Sequence, residues 1–283
     1  MTTERLITAV VAPKNLEAAY RWVCKSSKNI DHIGGSWQLC ADWQEIKESL
    51  GGRLSDNSYH LSSPRWYRVG EQAIMWWKME DAVVLQALAI VLAKVLKVEI
   101  PAAYYQAKDK KKMAVQVHKE FKNYQFACKS AISNSGSMDS KVLLDRLQTK
   151  ISDKTILRLV REYCARIADN FPLVNREFLE CPLSPLFITW LFQDLDQALA
   201  SQKVYYVRLM GEWVILAKTR NHLRKAIKSM GKVLANLQFT KDPNNTFIGW
   251  IHKGFKFLGY HLTLTEIQGG PKISWLSKLR FGK

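Results

Sequence analysis

Acidic residues are scarce in this sequence, and that scarcity bears directly on partners. Against 42 Lys and Arg stand 25 Asp and Glu, a formal net charge of +17. Residues 200–283 hold fifteen Lys/Arg and three Asp/Glu, with no acid between Glu212 and Asp242. Such an excess points to a polyanionic partner, most commonly nucleic acid, with scattered solubility charge as the competing reading. Long apolar runs are missing too. The longest, Ala82 to Leu96, carries Lys94 and falls short of the roughly 18 uncharged residues that a membrane span needs, so it reads as a buried helix. The five cysteines (Cys24, Cys40, Cys128, Cys164, Cys181) lie far apart, with no CxxC pair and no His/Cys cluster at zinc-ligand spacing. The opening MTTERLITAVVAPK puts Glu4 ahead of a short apolar stretch and lacks a small-residue cleavage site. A cytoplasmic protein with reduced thiols is the expectation.

What is present is core material. Hydrophobic residues make up 47% of 283 residues and include ten tryptophans, enough for one large domain or two small ones. Helices are expected over Leu16 to Cys24, over Trp37 to Leu50 ending at Gly51-Gly52, and from Asp81 to Lys97, closed by Pro101. Pro64 bars a helix in the turn-rich stretch Ser55 to Arg68, and Gln72 to Trp77 reads as a strand. QAKDKKK (106–112) reads as a solvated basic segment, and Tyr124 to Ile132 alternates like a strand. Capped helices follow over Lys141 to Thr149 and after Ser152-Asp153, then a helix from Pro185 to Ala200. Tyr205 to Leu209 and Trp213 to Ala217 flank Met210-Gly211-Glu212 as a tight hairpin. From Thr219 onward Leu223, Ile227, Met230, Leu234 and Leu237 share one helical face, with Arg220, Arg224, Lys225, Lys228 and Lys232 opposite. Thr246 to Ile251 and Phe255 to Leu262 read as a second hairpin. The order implies an α+β fold, an antiparallel sheet with helices on one face.

Several segments carry a resemblance. CPLSPLFITWLFQDLDQAL (181–199) is similar to the PLSPLL...LDxxL segment of reverse transcriptases, and YVRLMGEWVILAKT to their YVRYxDDxxVLxxT block. FKFLGYHL (255–262) is similar to their FLGY segment, and VLLDRL (142–147) with ISDKTILRLV (151–160) to the segment after the first catalytic strand. YRVGEQAIMWWKMEDAVVLQALAIVL (67–92) resembles the fingers region. The ordered matches span roughly residues 60–262 and resemble most the bacterial group II-intron-like lineage. The resemblance implies fingers over 1–115, mostly helical, a palm over 116–265, a basic tail over 266–283, and a thumb short or absent after Tyr260.

The family holds two divalent metals between aspartates on the first palm strand and at the hairpin tip. Aligned here, the tip pair falls on Gly211 and Glu212, its tyrosine on Leu209, and the first-strand aspartate on Ala131, or on Ser130 without a gap. Glu180, Asn245, Met75 and Glu80 also depart from the family's nucleotide pocket. One glutamate cannot bridge two ions, so no cofactor is expected, with magnesium at Glu212 only if the chain is active. Asp139, Asp145, Asp194 and Asp196 read as helical or capping residues, and His118 and His222 stand alone. The residues expected to contact nucleic acid are Arg220, Arg224, Lys225, Lys228, Lys232, Lys253, Lys256, Gly259 and Tyr260. Trp66, Tyr67, Trp76 and Trp77 suit base stacking and core packing equally. Three functions are compatible with this pattern. The first is an inactive reverse-transcriptase-like subunit that binds RNA or DNA beside an active polymerase or another protein, in a mobile-element or phage-defence complex. The second is an RNA-directed DNA polymerase with an atypical metal site, and the third a scaffold that binds no nucleic acid.

Overall fold

The structure, a computed structural model, describes residues 6–27, 42–69, 72–99, 107–133, 140–168 and 183–270. It opens with helices α1 (Leu6–Val11), α2 (Pro13–Ser27) and α3 (Trp43–Ser55), strands β1 (Arg65–Val69) and β2 (Gln72–Trp76), and helix α4 (Met79–Leu96). Then come α5 (Ala107–Glu120), β3 (Phe126–Ala131), α6 (Ser140–Gln148), α7 (Lys154–Ala168), α8 (Leu183–Leu191) and α9 (Gln193–Ala200). The remainder is β4 (Val204–Leu209), β5 (Glu212–Ala217), α10 (Arg220–Asn236), β6 (Phe247–Trp250), β7 (Phe255–Phe257), β8 (Tyr260–Leu262) and β9 (Ile267–Gly269). Among the described residues every strand pairing is antiparallel, so the fold is mixed helix and antiparallel sheet.

The described residues of 1–99 and 139–187 form one compact unit, and those of 100–138 and 188–283 form another. This division differs from a linear cut near residue 115, because the segment from 139 packs with the N-terminal helices. Its anchor is Asp153. One carboxylate oxygen caps α7 by accepting from the Thr155 and Ile156 N–H groups at 3.0 and 3.2 Å, and the other accepts from Ile7 N–H of α1 at 2.9 Å. Further along α7, burial opposes ionisation of Glu162, but hydrogen bonds from Leu61 N–H, His60 and Arg158 prevail and hold its carboxyl below the usual range. The core of this unit is α4, whose Val83, Val84, Leu85, Leu88 and Leu92 are fully buried. The first turn of α4 carries buried Asp81, which accepts from the Tyr59 hydroxyl at 2.7 Å and from the Ser62 hydroxyl. Burial and then the neighbouring carboxylate push the Tyr59 phenol far above its ordinary pKa.

Helix α3 does not stop at Gly51-Gly52, as the sequence suggests, but runs through both to Ser55. Two interior glycines cost about 1 kcal/mol each in helix propensity. Leu50 and Leu54, both fully buried on either side of the pair, outweigh that cost.

The second unit is built on a four-stranded sheet of order β4-β5-β3-β6. Alternation along its strands separates two faces. On one, Trp213 is fully buried and meets Phe192 at the α8–α9 junction, and helix α10 packs across β3, β4 and β5. On the other, Ala127, Val214 and Leu216 share a core with Ala114, Val117 and Phe121 from α5 and its following turn, and with Phe255, Phe257 and Leu262. Helices on one face only was the expectation. Here the second face is covered by α5 and by a three-stranded sheet, β7-β8-β9.

Four local expectations change for tertiary reasons. Of QAKDKKK, Ala107 to Lys112 form the first turns of α5, and Met113, Ala114 and Val117 further along carry its contact with the core. The segment expected as one helix from Pro185 to Ala200 is two, joined at Phe192. Strand β6 pairs with β3 and not with β7, so residues 246–262 do not form one hairpin. Ile267–Gly269, expected in the tail, pairs with β8 as β9.

Candidate functional site

The hairpin of strands β4 and β5 turns through Met210 and Gly211, with Leu209 opposite Glu212. Met210 adopts φ 54°, a left-handed conformation unusual for a side-chain-bearing residue. Arg208 holds the turn by donating to the Met210 carbonyl at 2.9 Å. Strand β3 lies beside β5 in a register that sets Ala131 opposite Glu212 and Lys129 opposite Val214. Residues two apart along a strand share a face, so Lys129, Ala131 and Glu212 stand together there.

The interaction at that point is an ion pair. The Lys129 side chain is 4% exposed, and its Nζ lies 3.2 Å from Glu212 Oε1. The same ammonium donates to the Asn245 carbonyl at 3.3 Å and to the Asn245 side-chain oxygen. Three acceptors match the three donors of an ammonium. Glu212 also accepts from Leu258 N–H at 3.2 Å. Leu258 and Gly259 form the turn between β7 and β8, both at positive φ (51° and 84°), as a two-residue turn of this hand requires. The FLGY stretch is therefore tied by its turn to the hairpin tip.

The space at the tip is filled as well. Ile132 N–H donates to the Gly211 carbonyl at 2.9 Å, and a Cβ added at Gly211 would meet Ile132 Cγ1 at 2.5 Å and Cδ1 at 2.7 Å. Gly211→Ala is expected to cost about 1–3 kcal/mol in urea unfolding, with a smaller penalty in an Ile132→Ala background where the obstructing side chain is gone. Equal penalties in both backgrounds would show that Ile132 is not the obstacle. Ser130, the ungapped alternative to Ala131, faces the opposite side and bonds the Thr246 hydroxyl at 2.6 Å.

The structure separates the remaining expected residues. Arg220, Arg224, Lys225, Lys228 and Lys232 are all exposed along α10, which begins at the Thr219 cap and buries Leu223, Ala226, Met230 and Leu234. That helix lies on the sheet face opposite Lys129 and Glu212. The guanidinium of Arg220 sits over the rings of Phe126 and Trp250 at 5.7 and 5.6 Å. Lys253, Lys256 and Gly259 are exposed near the β7–β8 hairpin, whereas Tyr260 is only 7% exposed and belongs to the core. Trp77 is buried too, with its ring 6.0 Å from Tyr163. Asp139, Glu180 and Cys181 lie outside the described residues, as do the side chains of Trp66, Tyr67, Met75 and Trp76.

Asp196 lies on the other face of the sheet from Glu212. It projects from α9 onto Arg208 and Tyr206, and Arg208 pairs across the sheet with Trp213 on the face away from Glu212. Asp145 and Asp194 are exposed helical residues. Among the described residues no group of three or more His, Cys, Asp or Glu is placed to hold a metal ion. Sequence reasoning missed Lys129, whose signal was a charge at an inward position of the strand FACKSA.

No protein-family model matches the chain, and no curated protein does. Among solved structures, a chain of a partial Cas6-RT-Cas1–Cas2 complex is similar at 16% identity with a TM-score of 0.39, covering 82% of this chain and 43% of that one. A second Cas6-RT-Cas1–Cas2 complex gives the same identity and TM-score with 27% of its chain covered. The RNA-dependent RNA polymerase of BmCPV in its elongation state is similar at 10% identity and TM-score 0.44, over 95% of this chain and 29% of that one. The chain thus spans less than half the length of each of these three chains.

Proposed function

We propose that this chain is a reverse-transcriptase-like protein without nucleotidyl transfer, acting as a nucleic-acid-binding subunit of a larger complex. The observation that carries the first half is the Lys129–Glu212 pair. Two-metal transfer needs several carboxylate oxygens around the ions, and each ion must be closely coordinated. At the positions that resemble the metal site, Ala131 and Gly211 offer no side-chain oxygen. The one carboxylate present, Glu212, already serves an internal ammonium and a backbone N–H. Magnesium does not fit this arrangement: Lys129 brings a positive charge to the place where an ion would sit.

The second half rests on charge. Of the fifteen Lys/Arg in residues 200–283, five lie at exposed positions of α10 and two around the β7–β8 hairpin. These surfaces suit phosphate backbones, and a partner subunit would supply whatever chemistry the complex performs. The test is primer extension on an RNA template, with magnesium and then manganese, beside salt-titrated binding to the same primer-template. No extension is expected, together with binding that weakens steeply with salt. Five phosphate contacts correspond to a log–log slope of about −3.5 to −4.5. Extension that disappears in Glu212→Gln would overturn the reading in favour of an atypical polymerase. Binding that is absent, or indifferent to salt, would leave only a scaffold.

A further inference from the structure

Helix α10 does more than present charge. One side of it, with His222, Lys225, Lys228 and Lys232, forms a wall of a pocket of about 600 Å³, and Gln202 and Lys203, from the turn between α9 and β4, contribute the facing wall. That volume lies within the range of ligand sites. No acidic residue lines the pocket, and among the described residues none of the four lysines forms an ion pair. Lys225, Lys228 and Lys232 stand three and four residues apart, the spacing at which like charges on a helix repel. Lys203 adds a fourth positive charge from a separate element. A bound oxyanion would relieve that repulsion.

We propose that this pocket binds closely spaced phosphate groups, at a site on the sheet face away from Lys129 and Glu212. Lys225 and Lys232 are seven residues apart, roughly 10 Å along the helix axis. Successive phosphates of a stacked strand advance about 3.4 Å each, so the row spans about three such steps. The same chemistry accepts a strand of RNA or DNA and a free oligophosphate. For the strand as its source, the inference rests on the nucleic-acid-binding reading above. A strand held here runs behind the sheet and not past the hairpin tip.

The test uses the full chain with two probes, a labelled single-stranded RNA and inorganic tripolyphosphate. Wild type is compared with Lys203→Ala/Lys228→Ala, one substitution per wall, and with a charge-matched control, Lys119→Ala/Lys122→Ala, at exposed positions elsewhere. The pocket variant is expected to bind both probes at least tenfold more weakly and to lower the RNA salt slope by about 1.4, while the control stays within about twofold of wild type. Tripolyphosphate binding lost in the pocket variant, with no RNA binding by any chain, would keep the site, assign it to a free oligophosphate and remove the nucleic-acid reading. RNA bound equally by wild type and pocket variant would overturn the pocket and leave that reading standing. Equal losses in the pocket variant and the control would reduce the effect to bulk charge and overturn the site, as would binding of neither probe by wild type.

Discussion

Glu212→Gln is expected to destabilise the protein by about 3 kcal/mol, because it leaves the Lys129 ammonium buried without a counter-charge. Breaking a buried pair at one end costs about 3–5 kcal/mol in general, and the low end applies here for two reasons. Glu212 is itself 25% exposed, and glutamine keeps an oxygen for Lys129 and Leu258 N–H. In a protein of this size the loss corresponds to roughly 6–12 °C in Tm. Adding Lys129→Met should recover most of it, since a buried pair replaced as a pair by apolar atoms is often neutral. Asn245 is exposed, so water can take over its freed oxygens. Differential scanning calorimetry of the two variants, each with EDTA and with magnesium, separates an ion pair from a metal ligand. An ion pair predicts melting independent of magnesium throughout. A wild-type Tm that rises with magnesium, and a Glu212→Gln variant that no longer responds, would sink the ion-pair account and the loss of chemistry inferred from it.

Asp196→Ala is the second large effect, expected at about 2–3 kcal/mol. Arg208 is only 7% exposed, and Asp196 receives its Nε at 2.9 Å and its Nη2 as a bidentate partner. Burial disfavours the Arg208 charge, but its hydrogen bonds to Asp196 outweigh that and raise its pKa. Losing the carboxylate strands the guanidinium and frees the Tyr206 hydroxyl, which donates to the same Asp196 at 2.8 Å. Asp196 is 38% exposed, so solvent screens part of the loss and the figure sits below that for a fully buried pair. The consequence should reach the hairpin tip, because Arg208 also holds the Met210 carbonyl. Hydrogen exchange is therefore expected to speed up at the amides around Met210 and Glu212, with Asp196→Asn falling between Ala and wild type. A change under about 0.5 kcal/mol in chemical unfolding would mean that Arg208 finds another partner.

These two clusters are both ion pairs on one hairpin, yet they lie on opposite faces of the sheet. The Lys129 pair closes the face that carries Ala131. The Arg208 pair joins the hairpin to α9 behind it. A carboxylate on the rear face therefore cannot be recruited to the front one, whatever its distance along the chain.

Much of this was legible in the sequence. Alternation in YYVRL and WVILA around Met210-Gly211 specifies the hairpin, and the 3.6-residue spacing of Leu223, Met230 and Leu234 specifies α10, because both patterns are local and short-ranged. The absence of carboxylates at Ala131 and Gly211 needed only the alignment of motifs. Two helical features were hidden for local reasons: the lysines that open α5 look solvated, and Gly51-Gly52 looks like a stop. Their fate depends on apolar neighbours packed from elsewhere. Strand pairing outside that hairpin lay beyond the sequence. Nothing in FIGW says that it joins β3, more than a hundred residues earlier, in preference to the adjacent FKF. Register is equally non-local, and a slip of one residue between β3 and β5 would turn Lys129 to the other face. Composition and period thus determined most of the elements and the charge. Which side chains meet was decided by the tertiary structure alone, because pairing partner and register are set by packing between segments distant in the chain.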